Sequence, residues 1–372
     1  MEPLAPHEKV FVLPEFATED IHGDMGCHEC HGGDPSDGDM LTAHDGVVRD
    51  PSYPVLGSVC EDCHPEIAET ASQSLHATLA PYESMITARA SHDPEVLAEV
   101  NAGRETHCNA CHASCGQCHV SRPAYVGGGL LAGHFFEGKP PMREVCTACH
   151  GSRVEREYFG KNEGIPPDVH WRKRFMECAS CHSGEEMHGS APNAMSRYDA
   201  PNAPTCVGCH QDIYAPDAAN AEQHELHRDL VSCHVCHAMP YKNCWGCHFA
   251  LDDHGFPFFR NDESYQDFVV GLNPLASESR PERFVVLRHV PVAEDSFRFY
   301  VDGGLSNYSA LPTWKMATPH TIQRRTPQNE SCGNCHDNHE WFLQQDNVRP
   351  EEQAANQGVI VGQDMLPMQG VE

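Results

Sequence analysis

The stretch VSCHVCHAMPYKNCWGCH, residues 231–248, contains Cys-x-x-Cys-His twice, at Cys233/Cys236/His237 and at Cys244/Cys247/His248. Toward the N-terminus the same five-residue pattern recurs at Cys206/Cys209/His210, Cys178/Cys181/His182, Cys146/Cys149/His150, Cys115/Cys118/His119, Cys108/Cys111/His112, Cys60/Cys63/His64 and Cys27/Cys30/His31. Toward the C-terminus it recurs at Cys332/Cys335/His336, and with that copy all 20 cysteines of the chain are used. The chemistry that needs this spacing is covalent haem attachment: two thiols add across the two porphyrin vinyl groups, and the adjacent histidine gives the iron its proximal nitrogen. Disulfide frameworks and zinc ribbons also use paired cysteines, but neither requires a histidine after every second one. Ten haem c groups, each carrying iron, are the expectation.

That expectation changes what the length implies. A chain of 372 residues would ordinarily divide into two or three domains around apolar cores. Here 40% of residues are apolar, cysteines included, and there are about 37 residues per motif. Much of the buried surface must then be porphyrin, and the fold should be haem-cored, with low regular secondary structure, short helices and a dependence on the cofactor for folding. Asp and Glu outnumber Lys and Arg by 54 to 25, a formal charge of -29. Such a surface disfavours nucleic acid and anionic membranes as partners, and fits cationic partners, metal cations or simple solubility. No stretch reaches the roughly 20 apolar residues of a membrane helix, so no transmembrane segment is expected. Haem of this type is attached outside the cytoplasm, which predicts a periplasmic or extracellular protein. Residues 1–20 lack the basic start and apolar core of a signal peptide, so the numbering reads as that of a processed chain.

Counted between first cysteines, the motif spacings are 33, 48, 7, 31, 32, 28, 27, 11 and 88 residues. This is a loose series with two tight pairs, each expected to hold its haems nearly face to face, and one long gap. Runs such as Phe284-Val285-Val286-Leu287 and Phe297–Val301, with Asp302-Gly303-Gly304 as turn material, make the gap β-rich. The predicted organisation is a nine-haem array over 1–254, a haem-free β-rich module over 255–318, and a tenth haem with a C-terminal wrapping segment over 319–372. Helices are expected from Pro65 to a stop at Pro81, from Pro94 to a stop at Gly103, and from near Pro216 through His224 and His227.

The second axial position of each iron separates a carrier from an enzyme: a second histidine closes the iron, and an empty position admits substrate. Of 27 histidines ten belong to motifs, which leaves 17 for ten irons. The predicted distal set is His22, His44, His76, His134, His170, His188, His224, His227, His289 and His320. His289 is preferred over His107 and His254 for the tenth place because it lies on a strand. His28 and His234 sit inside their own motifs and cannot reach the far face of their own iron. His7, His92 and His339 read as surface groups, with His7 also able to serve a haem of another subunit. Met316, Met365 and Met368 are alternative sulfur ligands, disfavoured by the surplus of histidine.

The segments AHDGVVRDPSY (43–53), CNACHASCGQCHVSRP (108–123), CTACHGSR (146–153), CHSGEEMHG (181–189), VSCHVCHAMPYKNCWGCH (231–248) and PTWKMATPHTIQRRTPQNESCGNCH (312–336) resemble those of large bacterial multihaem c-type cytochromes. The resemblance implies electron transfer through stacked haems, with redox proteins or extracellular acceptors as partners, and in some members self-assembly into filaments. It also raises an enzymatic alternative, an oxidoreductase acting on a small nitrogen or sulfur compound at one open haem. The lysine that marks the catalytic haem of pentahaem nitrite reductases is absent, since all ten motifs keep histidine. Hydroxylamine-oxidising enzymes cross-link a haem to tyrosine, for which Tyr53, Tyr82, Tyr158 and Tyr241 are the candidates. No catalytic residue is assigned. Arg172, Lys173 and Arg174 form a basic cluster suited to haem propionates or an acidic neighbour.

Overall fold

The computed structural model describes residues 4–108, 111, 113–189, 191–243, 246–261 and 264–368. His112 and Cys244, expected as a proximal ligand and a thioether position, lie outside the described residues. Two compact units emerge. The first comprises 1–83, 108–151 and 177–203, and the second 84–107, 152–176 and 204–372.

In the first unit regular structure is confined to short helices, among them Cys27–His31, Met40–Ala43, Pro65–Ser72, Leu75–Thr78, Cys115–His119, Thr147–His150 and Gly184–Met187. Pro65 takes the first helical position, where its missing N–H costs nothing. The chain does not stop at Pro81 as expected, because Ala80 opens a further helix, Ala80–Thr87, in which Pro81 lies in the first turn. No cluster of buried apolar side chains occurs among the described residues of this unit; the three found among the described residues belong to the second.

The second unit has a sheet. Strands β1 (Tyr241–Lys242), β2 (Cys247–Leu251), β3 (Pro257–Asn261), β4 (Gln266–Asp267), β5 (Val269–Leu272), β6 (Phe284–His289) and β7 (Trp314–Met316) form two antiparallel pairs, β1 with β4 and β2 with β3, and a three-stranded antiparallel sheet ordered β5-β6-β7. The central strand β6 is buried at all six positions, as its branched and aromatic run requires. One of its faces packs Phe284 and Val286 on Val270, Phe342 and Val361, and the other packs Val285 and Leu287 on Trp314, Leu343 and Val359. Helix Pro94–Cys108 continues through Gly103 rather than ending there. A Cβ at Gly103 would lie 2.9 Å from Tyr300 and 3.0 Å from Phe297, so the glycine serves close packing and not termination.

The chain exposes 21386 Å², against roughly 15,000 Å² for a compact monomer of this mass. The polypeptide by itself buries less of its surface than a compact monomer of this mass would. No helix among the described residues is long and apolar enough to cross a membrane.

Candidate haem sites

Local structure explains why the motif works. Five of the motifs begin a short helix at their first cysteine, as at Cys27–His31, Cys115–His119, Cys206–Cys209, Cys233–His237 and Cys332–His336. Helical spacing brings positions i, i+3 and i+4 to one side, so both sulfurs and the ligand histidine face the same way. Ser114, Thr205 and Ser331 cap these turns, each accepting a hydrogen bond from the backbone N–H three residues on.

The second and sixth motifs depart from that picture. Cys63, Cys181 and His64, expected as two thioether positions and a proximal ligand, lie exposed at the surface and not in an enclosed pocket. His64 takes φ -122, ψ 51 and precedes the helix Pro65–Ser72, a backbone close to that of His210, φ -99, ψ 53, which precedes Gln211–Tyr214. Among the described residues no histidine ring pairs with His64, and only backbone bonds from the N–H groups of Cys63 and His64 to the Cys60 carbonyl keep this motif turned. Cys181 sits just past the 3-10 turn Cys178–Ser180, and the N–H groups of Cys181 and His182 both donate to the Cys178 carbonyl. Cys27, Cys149, Cys206, Cys209 and Cys332 are exposed as well, whereas Cys108 is buried. A thioether needs contact with the porphyrin edge alone, so exposure of the thiol suits attachment at the surface of the chain.

Six pairs of histidine rings meet with centroids 5.9–6.3 Å apart: His31 with His134, His76 with His150, His119 with His188, His170 with His210, His224 with His237, and His227 with His336. Each pair joins one motif histidine to one histidine of the predicted distal set. With a metal-to-imidazole bond of about 2.0–2.1 Å, as at zinc, and a ring centre roughly 1 Å behind each nitrogen, two rings that share one metal stand about 6 Å apart. Ordinary aromatic pairs scatter over roughly 4.5–7 Å, and other histidine contacts here run from 3.8 Å, for His22 on Phe136, to 6.4 Å, for His320 with Tyr158. A spread of 0.4 Å over six pairs fits a common spacer the thickness of one hexacoordinate iron.

The hydrogen bonds at the far side of the rings sort the histidines a second way. A carbonyl only accepts, so a ring whose Nδ1 meets a carbonyl carries its proton there and keeps Nε2 bare for a metal. Nδ1–H donates to a backbone carbonyl at His31 (Val48, 2.7 Å), His119 (Glu137, 2.6 Å), His237 (Gln323, 3.1 Å) and His336 (Met368, 3.2 Å). Among distal candidates it does so at His44 (Met40, 2.7 Å), His227 (Gln223, 2.8 Å) and His320 (Thr318, 3.1 Å). At His22, His170 and His182 the acceptor is a carboxylate, of Asp20 at 2.8 Å, Asp168 at 2.8 Å and Glu186 at 3.0 Å. The Asp168 hydrogen bond raises the His170 pKa above its ordinary value, against the opposing effect of burial.

Nε2 is engaged at His28 (Glu29, 3.1 Å), His107 (Tyr300 hydroxyl, 2.9 Å) and His339 (Pro367 carbonyl, 3.0 Å). The same holds for His289, the tenth distal choice. It is buried, its Nε2 lies 3.0 Å from the Glu352 carboxylate and its Nδ1 3.3 Å from the Tyr265 hydroxyl, and its ring stacks on Trp314 at 4.7 Å. Its place on a rigid strand holds it in the sheet core, where a buried carboxylate pairs with it.

Sequence proximity does not set the pairs. His170 faces His210 rather than the nearer His182, His188 faces His119, and His227 faces His336 rather than the motif that ends at His248. A motif loop could hold only one face of a porphyrin, so a histidine for the far face would have to arrive from another segment. In the first tight pair Cys111 sits against Cys149, and Cys115 against Cys60. Cys146 meets Cys178 and Cys206 meets Cys233 in the same manner.

Asp20 and Asp168 are absent from the residues singled out in the sequence, although Asp-x-His occurs at both Asp20-Ile21-His22 and Asp168-Val169-His170. Each aspartate accepts from the backbone N–H and from Nδ1 of its histidine through one oxygen, and from a distant backbone N–H, Phe136 or Ile322, through the other. Of the tyrosines considered for cross-linking, Tyr158 and Tyr241 are buried and donate to the carbonyls of Met176 and Leu287. Of the basic cluster, Arg172 donates to the Gln323 side chain. Compared with known proteins, the chain matches no family model, no curated protein and no solved structure.

Proposed function

We propose that the protein is an exported decahaem c-type cytochrome that carries electrons between redox partners, in the periplasm or outside the cell. The observation that carries this reading is the set of six ring pairs, each a motif histidine and a second histidine at the separation of two ligands on one iron. Bound haem supplies one-electron exchange between ferric and ferrous iron. The chain does the rest: the cysteines fix each porphyrin edge, the paired histidines close both faces to small ligands, and the hydrogen bonds at Nδ1 hold the rings in place.

The cysteine contacts support a route. A thioether sulfur sits on the porphyrin edge, so haems whose sulfurs touch have their edges in contact. In the first unit this neighbours the haems of Cys60 and Cys115, of Cys111 and Cys149, and of Cys146 and Cys178; in the second it neighbours those of Cys206 and Cys233. No acid or base takes part. A reductive titration of the haem-loaded protein tests the reading: uptake of ten electrons per chain over a broad low-potential range, with no turnover of nitrite or hydroxylamine, is expected. Steady consumption of either compound would replace it with the enzymatic alternative.

Asp168 tunes one station of this relay. Its carboxylate makes the His170 imidazole more basic and so favours ferric iron at the haem of His210. Asp168→Asn keeps an acceptor for the backbone and loses the charge. A tenfold loss of ferric preference corresponds to about 59 mV for one electron. Spectroelectrochemistry of the variant is expected to show one haem in ten shifted upward by about that amount, and the others unchanged.

A further inference from the structure

We infer, on the strength of the haem reading above, that the second unit carries a docking face for an acidic redox protein. Arg172, Lys173 and Arg174 on one segment and Arg324 and Arg325 on another make the face, beside the ligands of the seventh and eighth haems.

Charge is already set apart in the sequence. Asp and Glu make up 54 of 372 residues, yet residues 303–329 contain neither, and residues 164–176 contain Asp168 alone. Those two stretches supply the five cations, and the fold ties them together. The Val169 N–H donates to the Ile322 carbonyl at 2.8 Å, the Ile322 N–H to Asp168 at 2.8 Å, the Gln323 side chain to the Pro167 carbonyl at 2.7 Å, and Arg172 to the Gln323 side chain at 3.1 Å. Asp168 is buried, with His170 and Ile322 as its donors, so it does not offset the charge outside. All five cations are exposed, and among the described residues none of them forms an ion pair with a carboxylate. The result is a concentrated positive field on a chain whose formal charge is -29.

An apolar group adjoins it. Phe175 ends the helix Val169–Arg174 at φ 52, in the left-handed region that favours glycine, and is 74% exposed. Arginine around an exposed aromatic side chain is the composition of a protein interface.

Placement gives the face its use. The helix that carries Arg172, Lys173 and Arg174 also carries His170, which faces His210 at 6.1 Å. The segment that carries Arg324 and Arg325 accepts from His237 Nδ1 through the Gln323 carbonyl at 3.1 Å. It holds the eighth motif again where Thr326 and Asn329 donate to the Cys236 carbonyl, at 2.6 and 2.8 Å. These two motifs meet at Cys206 and Cys233. A donor with a carboxylate-rich face is thereby brought to the ligands of two neighbouring stations, and one electron leaves it as one ferric iron becomes ferrous. Net repulsion between two acidic proteins does not prevent this, because at about 0.1 M salt charges more than roughly 10 Å apart are screened while those in contact still attract. Haem propionates are the other anions that could meet these cations, and charge reversal separates the two cases.

Stopped-flow reduction of the full haem-loaded chain by reduced flavodoxin, an acidic one-electron donor, tests the face. Methyl viologen radical cation serves as a small donor that needs no docking. Net charge alone predicts a flavodoxin rate constant that rises with salt, and the docking face one that falls. Wild type should fall by about tenfold or more between about 10 and 200 mM salt. Arg324→Glu with Arg325→Glu, and separately Lys173→Glu with Arg174→Glu, should each keep ten haems and the viologen rate of wild type. Each should lose about tenfold or more of the flavodoxin rate at low salt and reverse the sign of the salt dependence. A wild-type flavodoxin rate that is unmeasurable or rises with salt, or variants that flavodoxin reduces as fast as wild type, overturns the inference. So do variants whose haem potentials and viologen rate shift, which gives the cations to propionates. Patch-dependent binding to phosphatidylglycerol vesicles or to a second copy of the chain, in place of flavodoxin, overturns it as well. Fewer than ten haems in wild type, or a wild type that viologen radical does not reduce, would instead remove the electron-carrier reading.

Discussion

Produced where haem cannot be attached, the chain exchanges its amide hydrogens at the rate of an unfolded polypeptide throughout 4–83, 113–151 and 177–189, while strand β6, Phe284–His289, keeps measurable protection. The reason is the unequal distribution of core. The first unit has six of the ten motifs and no cluster of buried apolar side chains among its described residues. Its helices are mostly one or two turns long, too short to persist without packing partners. In the second unit Phe284, Val286, Val270, Phe342 and Val361 on one face of the sheet, and Val285, Leu287, Trp314, Leu343 and Val359 on the other, bury one another without help. Protection at β6 of a few kcal/mol, roughly a hundredfold slowing or more, is the expected scale. Hydrogen exchange resolved by segment checks this, and equal protection of the two units would show that the polypeptide folds without its cofactors.

His224→Ala is expected to convert the haem of Cys233 and Cys236 to a high-spin, ligand-binding centre while the rest stay low-spin. His224 faces His237 at 6.3 Å, from the short helix Ala221–His227. Loss of the ligand destabilises the ferric form and raises that haem's potential by about 59 mV for each tenfold of lost preference. The effect extends along the route, because Cys233 contacts Cys206. Electrons passing between those neighbours must then cross a station poised at the wrong potential, and transfer through the second unit should slow. Magnetic resonance gives the spin state, and stopped-flow reduction the rate. His227→Ala should act on a different haem, that of His336, although its residue lies in the same helix.

The ten motifs, and the histidines that the structure brings opposite six of them, were legible because the five-residue pattern stands out in the sequence. Pairing was not, since His31 meets His134 and His227 meets His336 across a hundred residues or more, and spacing along the chain carries no signal for such contacts. His289 was misleading for a physical reason: a strand that buries every position leaves its histidine inside the sheet, where Glu352 and Trp314 occupy it. Strand β6 was readable from its branched and aromatic run, but the run Phe297–Val301, of the same character, lies outside every strand and forms turns that bury Phe297 against Val100 and Leu305. Gly103 was not readable, because a glycine that ends a helix and one that admits a neighbouring Phe297 look alike in sequence. Asp-x-His became meaningful only when both aspartates were seen making the same three hydrogen bonds.

The most direct test of the account is an anomalous-scattering map of iron in crystals of the haem-loaded protein. The account predicts ten iron positions per chain, with one midway between the rings of each pair: His31 and His134, His76 and His150, His119 and His188, His170 and His210, His224 and His237, and His227 and His336. Iron displaced from those midpoints, or bound by the motif histidine with some other group opposite, would contradict it.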